Sequence, residues 1–156
     1  MARCLSRTDL AGIAGRYIDM YYNRFGISKD KPEPIDPELF ASTILGLNVK
    51  MLPLCSDDTV LGLTVFQKCS FTAILEDGTQ LIEVFQPRDV VINSSLAGEK
   101  CTGCRNFTIA HEAAHQILAD LFPADYGKDA KHRGHISYRE RNNHFSWEEW
   151  QADTLA

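Results

Sequence analysis

Apolar and polar residues change their period three times along the chain. Between Ser6 and Phe25, the apolar positions Leu10, Ile13, Ala14, Tyr17, Ile18, Tyr21 and Phe25 recur at spacings of three and four. That period draws one stripe down a helix and predicts an amphipathic helix over 6–25. Ser6 or Thr8 offers an N-cap oxygen, and Gly26 can take the left-handed conformation that ends helices. Gly12 and Gly15 weaken the pattern from inside. The polar stretch Ser28–Pro34, with Pro32 and Pro34, reads as a connection. A second helix should open at Asp36: the aspartate caps, Pro37 has its φ preset for the first turn, and Glu38 suits the positive end of the dipole. Leu39, Phe40, Ile44 and Leu45 give it an apolar side, and Gly46 should stop it.

From Val49 to Asn93 the period shortens. The runs Val49–Leu54, Leu61–Phe66, Phe71–Leu75, Leu81–Phe85 and Asp89–Ile92 predict a small, mostly antiparallel sheet of three to five strands. Asp77-Gly78 between two runs signals a hairpin. Pro53 cannot donate to a ladder, so the first run is an edge strand or none. Helical spacing returns near Thr102 with Phe107, Ala110, Ala114, Ile117, Leu118 and Leu121, and must stop before Pro123. Residues 124–145 are mostly polar and read as loop or irregular helix. Ser146 then caps a last helix, whose pattern still holds at Ala156, as if the native chain ran on. Helices, a sheet and helices again make an α+β fold, and 156 residues suit a single domain over 1–156.

Composition narrows the function. A net charge of -5 and a pI near 5.5 argue against a chain that grips nucleic-acid phosphates through its overall field. No apolar stretch reaches the ~18–20 residues that cross a bilayer, and Met1–Arg7 lacks the apolar segment of a secretory signal. The cysteines Cys4, Cys55, Cys69, Cys101 and Cys104 are odd in number and cannot all pair, which suits thiols in a reducing compartment. The expectation is a cytoplasmic protein with no membrane and no direct nucleic-acid partner.

The chemistry concentrates in His111-Glu112-Ala113-Ala114-His115. On a helix, positions i and i+4 share a face, so two imidazoles can reach one Zn2+ at about 2.0–2.1 Å. Glu112 sits beside the metal without ligating it, placed to accept a proton from water as general base. A catalytic zinc needs a third protein ligand. Leu118 and Leu121 stand where a metzincin would carry glycine and histidine, which excludes that class. A carboxylate from a later helix remains. Glu149 and Asp153 are again i and i+4: Glu149 can complete the shell, and Asp153 can accept the other ring N–H of a ligand histidine. Glu148 competes with Glu149 but has no carboxylate four residues on.

Other residues carry weaker signals. Cys101-Thr102-Gly103-Cys104 could act as a redox pair at a helix start, though two ordinary thiols is the plainer reading. The basic segment 128–141, with Lys128, Lys131, His132, Arg133, His135, Arg139 and Arg141, reads better as a solvated loop than as a contact for an acidic substrate. Tyr126, His135, Tyr138 and His144 are candidates for stabilising an oxyanion, though each reads better as a structural or exposed residue. An edge strand from the run preceding the metal helix would hold a substrate backbone extended.

The run Arg105-Asn106-Phe107-Thr108-Ile109-Ala110-His111-Glu112-Ala113-Ala114-His115, followed by Glu149-Trp150-Gln151-Ala152-Asp153-Thr154-Leu155-Ala156, resembles the ImmA/IrrE family of zinc metallopeptidases. Leu155 replaces the family's usual phenylalanine, and Ala114 stands where many members carry glycine. The resemblance implies a zincin-like, gluzincin-type domain. It also implies an anti-repressor activity, in which a helix-turn-helix repressor is cleaved and genes are switched on. The rival expectation is a non-catalytic module of the same fold that docks to a repressor or another partner; a purely structural zinc site is the third.

Overall fold

The computed structural model describes residues 4–126, 136–140 and 146–156, with 136–140 described by its backbone alone. Helix α1 spans Arg7–Phe25. It opens on a reciprocal cap: Ser6 Oγ accepts the Asp9 N–H and Asp9 Oδ2 accepts the Ser6 N–H. It closes at Gly26, whose φ of 67° is the left-handed turn expected of that residue. Leu10, Ile13, Tyr21 and Tyr22 are its buried face, while Ile18 and Phe25, at the margin of the expected stripe, stay partly exposed. Tyr22 reaches past that stripe to donate its hydroxyl to the Glu33 carbonyl, tying down the connection after α1. Helix α2, Pro37–Thr43, starts as expected, with Asp36 Oδ1 accepting the N–H groups of Glu38 and Leu39. It ends three residues before Gly46.

The strands are β1 Asn48–Leu52, β2 Val60–Val65, β3 Cys69–Ile74, β4 Gln80–Phe85, β5 Asp89–Asn93 and β6 Ile136–Glu140. Four of them form a sheet in the order β1-β5-β2-β6, and β3 and β4 form a separate hairpin. Within the larger sheet β1 runs parallel to β5, and the other two pairings are antiparallel. β1 is an edge strand that ends just before Pro53. The β3–β4 turn has Gly78 at φ 81° after Asp77, as the dipeptide foretold.

Two expectations are corrected. The polar segment 124–145 contains a short helix, α4 at Pro123–Tyr126, and the strand β6. Ile-Ser-Tyr-Arg-Glu has too little apolar content to announce itself; pairing with β2 makes it a strand, and its place at the sheet edge tolerates polar residues. The run before the metal helix, β5, is no edge: it lies between β1 and β2. Among the described strands the edges are β1 and β6.

Helix α3, Thr102–Leu121, crosses one face of the sheet, with α2 and the C-terminal helix α5, Trp147–Leu155, packed against it and α1 packed against α5. Alternation along β2 and β5 divides the core. Val90 and Ile92 join the helical side with Leu10, Ile109 and Leu118. Leu63, Val65 and Val91 point the other way, onto Phe85 and Phe71 of the hairpin. The result is a helix layer, a mixed sheet and a two-stranded flap, an α+β architecture. No helix among the described residues is long and apolar enough to cross a membrane.

Strand β2 meets α3 at Gly62. A Cβ there would lie 2.6 Å from Thr108 Cγ2 and 3.3 Å from Glu112 Oε1. Thr108 cannot swing aside freely, because it is fully buried and its hydroxyl donates to the Cys104 carbonyl. Gly62→Ala is therefore expected to destabilise the protein by about 1–3 kcal/mol, as overpacking does. Chemical denaturation of the purified variant checks this, and an unchanged midpoint would refute the close approach.

Candidate metal centre

Helix α3 carries two buried polar ladders on adjacent faces. Thr108, Glu112 and Gln116, one turn apart, face β2. Gln116 Nε2 donates to Thr64 Oγ1 at 2.6 Å and to the Val65 carbonyl at 3.1 Å, fixing the helix against the strand. His111 and His115 form the second ladder and face α5. His111, Glu112 and His115 each have 0% exposure. Buried polar groups on this scale are uncommon in a core unless they have partners or a task.

Helix α5 supplies the carboxylates. Ser146 Oγ accepts the Glu149 N–H at 3.2 Å and caps the helix; Ala152, fully buried, lets it approach α3 closely. Glu149 then points inward, its side chain 18% exposed, with Oε2 3.1 Å from His111 Nε2 and Oε1 3.3 Å from His115 Nε2. The two Nε2 atoms lie 3.1 Å apart. Ligands held tetrahedrally at 2.0–2.1 Å from an ion stand about 3.4 Å from one another. The three contacts, one from each carboxylate oxygen to a ring and one between the rings, are therefore of the size that donors around one ion show.

The donor chemistry fits as well. His111 Nδ1 lies 2.8 Å from Asp153 Oδ1, and the carboxylate can only accept there, so Nδ1 carries the hydrogen. In the neutral ring, the His111 Nε2 lone pair is thereby turned toward Glu149 and His115. A shared proton can bridge one of the three gaps, whereas a cation satisfies all of them at once. Burial pushes the Glu149 carboxyl up, but hydrogen bonds and charge from His111 and His115 outweigh it and hold the group far below the usual carboxylate range. Any cation between the rings acts in the same direction. With its folded value depressed, Glu149 contributes stability that is fully present above the ordinary carboxylate range and is lost progressively as pH falls below it.

His111, His115 and Glu149 are thus brought together as expected, a group able to hold a metal ion, and Asp153 is in place behind His111. Glu148 is not part of this group. Phe107, one of the apolar positions that mark the helix, is 39% exposed, its ring centroid 6.5 Å from that of His111. Of the oxyanion candidates, Tyr126 is fully buried in the core and accepts a hydrogen bond from Gln151; it is a packing residue. His135 and His144 lie outside the described residues, as do Lys128, Lys131, His132, Arg133 and Arg141. Tyr138 and Arg139 are described by backbone only. The five cysteines are free thiols, with Cys101 at the start of α3 and Cys104 exposed. Gly62 carries no chemistry of its own that would mark it as part of the site; a glycine inside a strand run is its only sequence signal.

Comparison with family models, curated proteins and solved structures finds no match to this chain.

One divalent ion per chain is expected on metal titration. Asp153→Ala should keep that stoichiometry and weaken affinity roughly 10–100-fold, the usual effect of losing a carboxylate behind a ligand histidine. His111→Ala and Glu149→Ala should each weaken it further than that. Chelator competition measures all three, and equal affinities across the set would remove the site.

Proposed function

We propose that the chain is a zinc-dependent endopeptidase of the ImmA/IrrE kind, with a zincin-like fold. The observation that carries this reading is the convergence of Glu149 on the His111–His115 pair, with Glu112 on the next position of the same helix. Two imidazoles and one carboxylate in tetrahedral disposition suit zinc better than the oxygen-loving calcium or magnesium, and three protein ligands leave one position open. When bound, zinc supplies Lewis acidity and makes water a nucleophile near neutral pH.

The chain's own residues do the remainder. Glu112 takes the proton of the attacking water and returns it to the leaving amine, the acid–base role its place beside the first histidine suits. Contact with β2 at Gly62 limits where its carboxylate can go. Asp153 holds the His111 ring in one tautomer and raises its basicity. β6 packs against α3 and offers an edge along which an extended substrate could add as a strand. The substrate is a helix-turn-helix repressor, which the family resemblance of residues 105–115 and 149–156 supports. The acidic charge of the chain suits a protein that meets such a basic partner without holding DNA itself. The setting is cytoplasmic.

The decisive variant is Glu112→Gln, incubated with the repressor encoded beside the gene. Zinc content should stay at the wild-type level while fragment formation slows by about 10²–10⁴, the usual contribution of a general base. Chelation should stop wild-type cleavage, and zinc should restore it. If Glu112→Gln relieves repression as well as wild type does, the chain is a docking module and the peptidase reading fails.

A further inference from the structure

Glu149 is the one member of the triad that α3 does not carry, so the centre exists only while α5 keeps its place. α5 has nine residues, short of the ~12–15 an isolated helix needs in water. What it is attached to therefore decides where Glu149 points. Apolar packing of Ala152 sets the approach of α5 to α3, but such packing has no direction and leaves rotation about the helix axis loosely defined. The tolerance is small. A rotation of about 20° moves a group ~6 Å from a helix axis by ~2 Å, whereas metal–ligand distances hold to about 0.2 Å.

One side chain supplies the missing direction. Gln151 has no solvent exposure, and its amide is shared among three parts of the chain. Oε1 accepts the backbone N–H of Leu5 at 2.8 Å, a partner 146 residues away. Nε2 donates to Tyr126 Oη at 2.7 Å and to the Trp147 carbonyl at 2.9 Å. The amide fits only one way round, because turning it over would set its NH2 group against the Leu5 N–H. At about 100° per residue, Gln151 points away from both Glu149 and Asp153, into the opposite side of the helix. The N-terminal segment adds its own grip: the Leu5 side chain lies in the core, and the Arg7 guanidinium stands 6.0 Å from the Trp150 ring centroid.

We propose that Gln151 is the positioning residue of the metal centre: its buried amide clamps α5 between Leu5 and Tyr126 and so fixes the rotation at which Glu149 meets His111 and His115. The inference rests on the metal reading of the site. It explains why an amide, costly to bury, occupies a core position that leucine would fill.

Zinc affinity of the full chain, measured by chelator competition, tests the clamp. Gln151→Leu should weaken zinc binding about tenfold or more, and Tyr126→Phe should weaken it less. Phe71→Ala, which loosens the hairpin layer remote from α5, should lower stability without moving zinc affinity. In a Glu149→Ala/Asp153→Ala background, Gln151→Leu should cost no further affinity, since the clamp acts through the two carboxylates that α5 carries. Wild-type affinity in Gln151→Leu, or an undiminished loss when both carboxylates are already gone, overturns the proposal. If Gln151→Leu does not fold, Tyr126→Phe carries the same comparison, and wild-type affinity there overturns it. A wild-type protein that binds no zinc overturns the metal reading together with this one.

Discussion

Two imidazole nitrogens with no solvent exposure face a carboxylate and each other at 3.1–3.3 Å. Electron pairs packed so closely in a low-dielectric interior repel unless positive charge lies among them. The rest of the structure can be understood as what holds that arrangement in place. Capping and close approach bring α5 to α3; Asp153 sets the His111 tautomer; the Thr108–Glu112–Gln116 ladder and Gly62 press α3 against β2. A core of apolar side chains alone would bury more area but would not fix these directions.

The layers divide the labour. Helices and centre share one face of the sheet, while the hairpin covers the other through Phe71 and Phe85. The outer side of the hairpin, with Ile74, Ile82 and Val84 at 60%, 65% and 49% exposure, is the least protected apolar surface described. It is separated from the metal-binding side chains by the whole thickness of the sheet. Stability and site geometry are thus partly independent, which is why a hairpin variant can serve as a control for a site variant.

Much of this was legible in the residues. Ser6, Gly26, Asp36 and Asp77-Gly78 marked boundaries because local chemistry alone decides caps and turns. The spacings His111–His115 and Glu149–Asp153 reported a shared helix face because 3.6 residues per turn is a local rule. What could not be read needed tertiary information. β6 is a strand because β2 is beside it, and β5 is interior because β1 pairs on one side of it and β2 on the other. Tyr126 looked like a candidate for chemistry and is a core residue, since its composition says nothing of its burial. Gln151 sits between Glu149 and Asp153 yet carries no local signal; its partner Leu5 is 146 residues away.

The Leu5–Gln151 bond also has a consequence for how the molecule is made. His115 and His111 leave the ribosome 34 and 38 residues before the carboxylate that faces them, and Leu5, which helps to seat α5, is made earlier than either. A growing chain therefore holds half a centre: two rings, no acid, and an N-terminal strap with nothing to grip. Assembly of the site therefore waits for α5: until Glu149 and Gln151 have been made, no ion can be held between both rings and an acid.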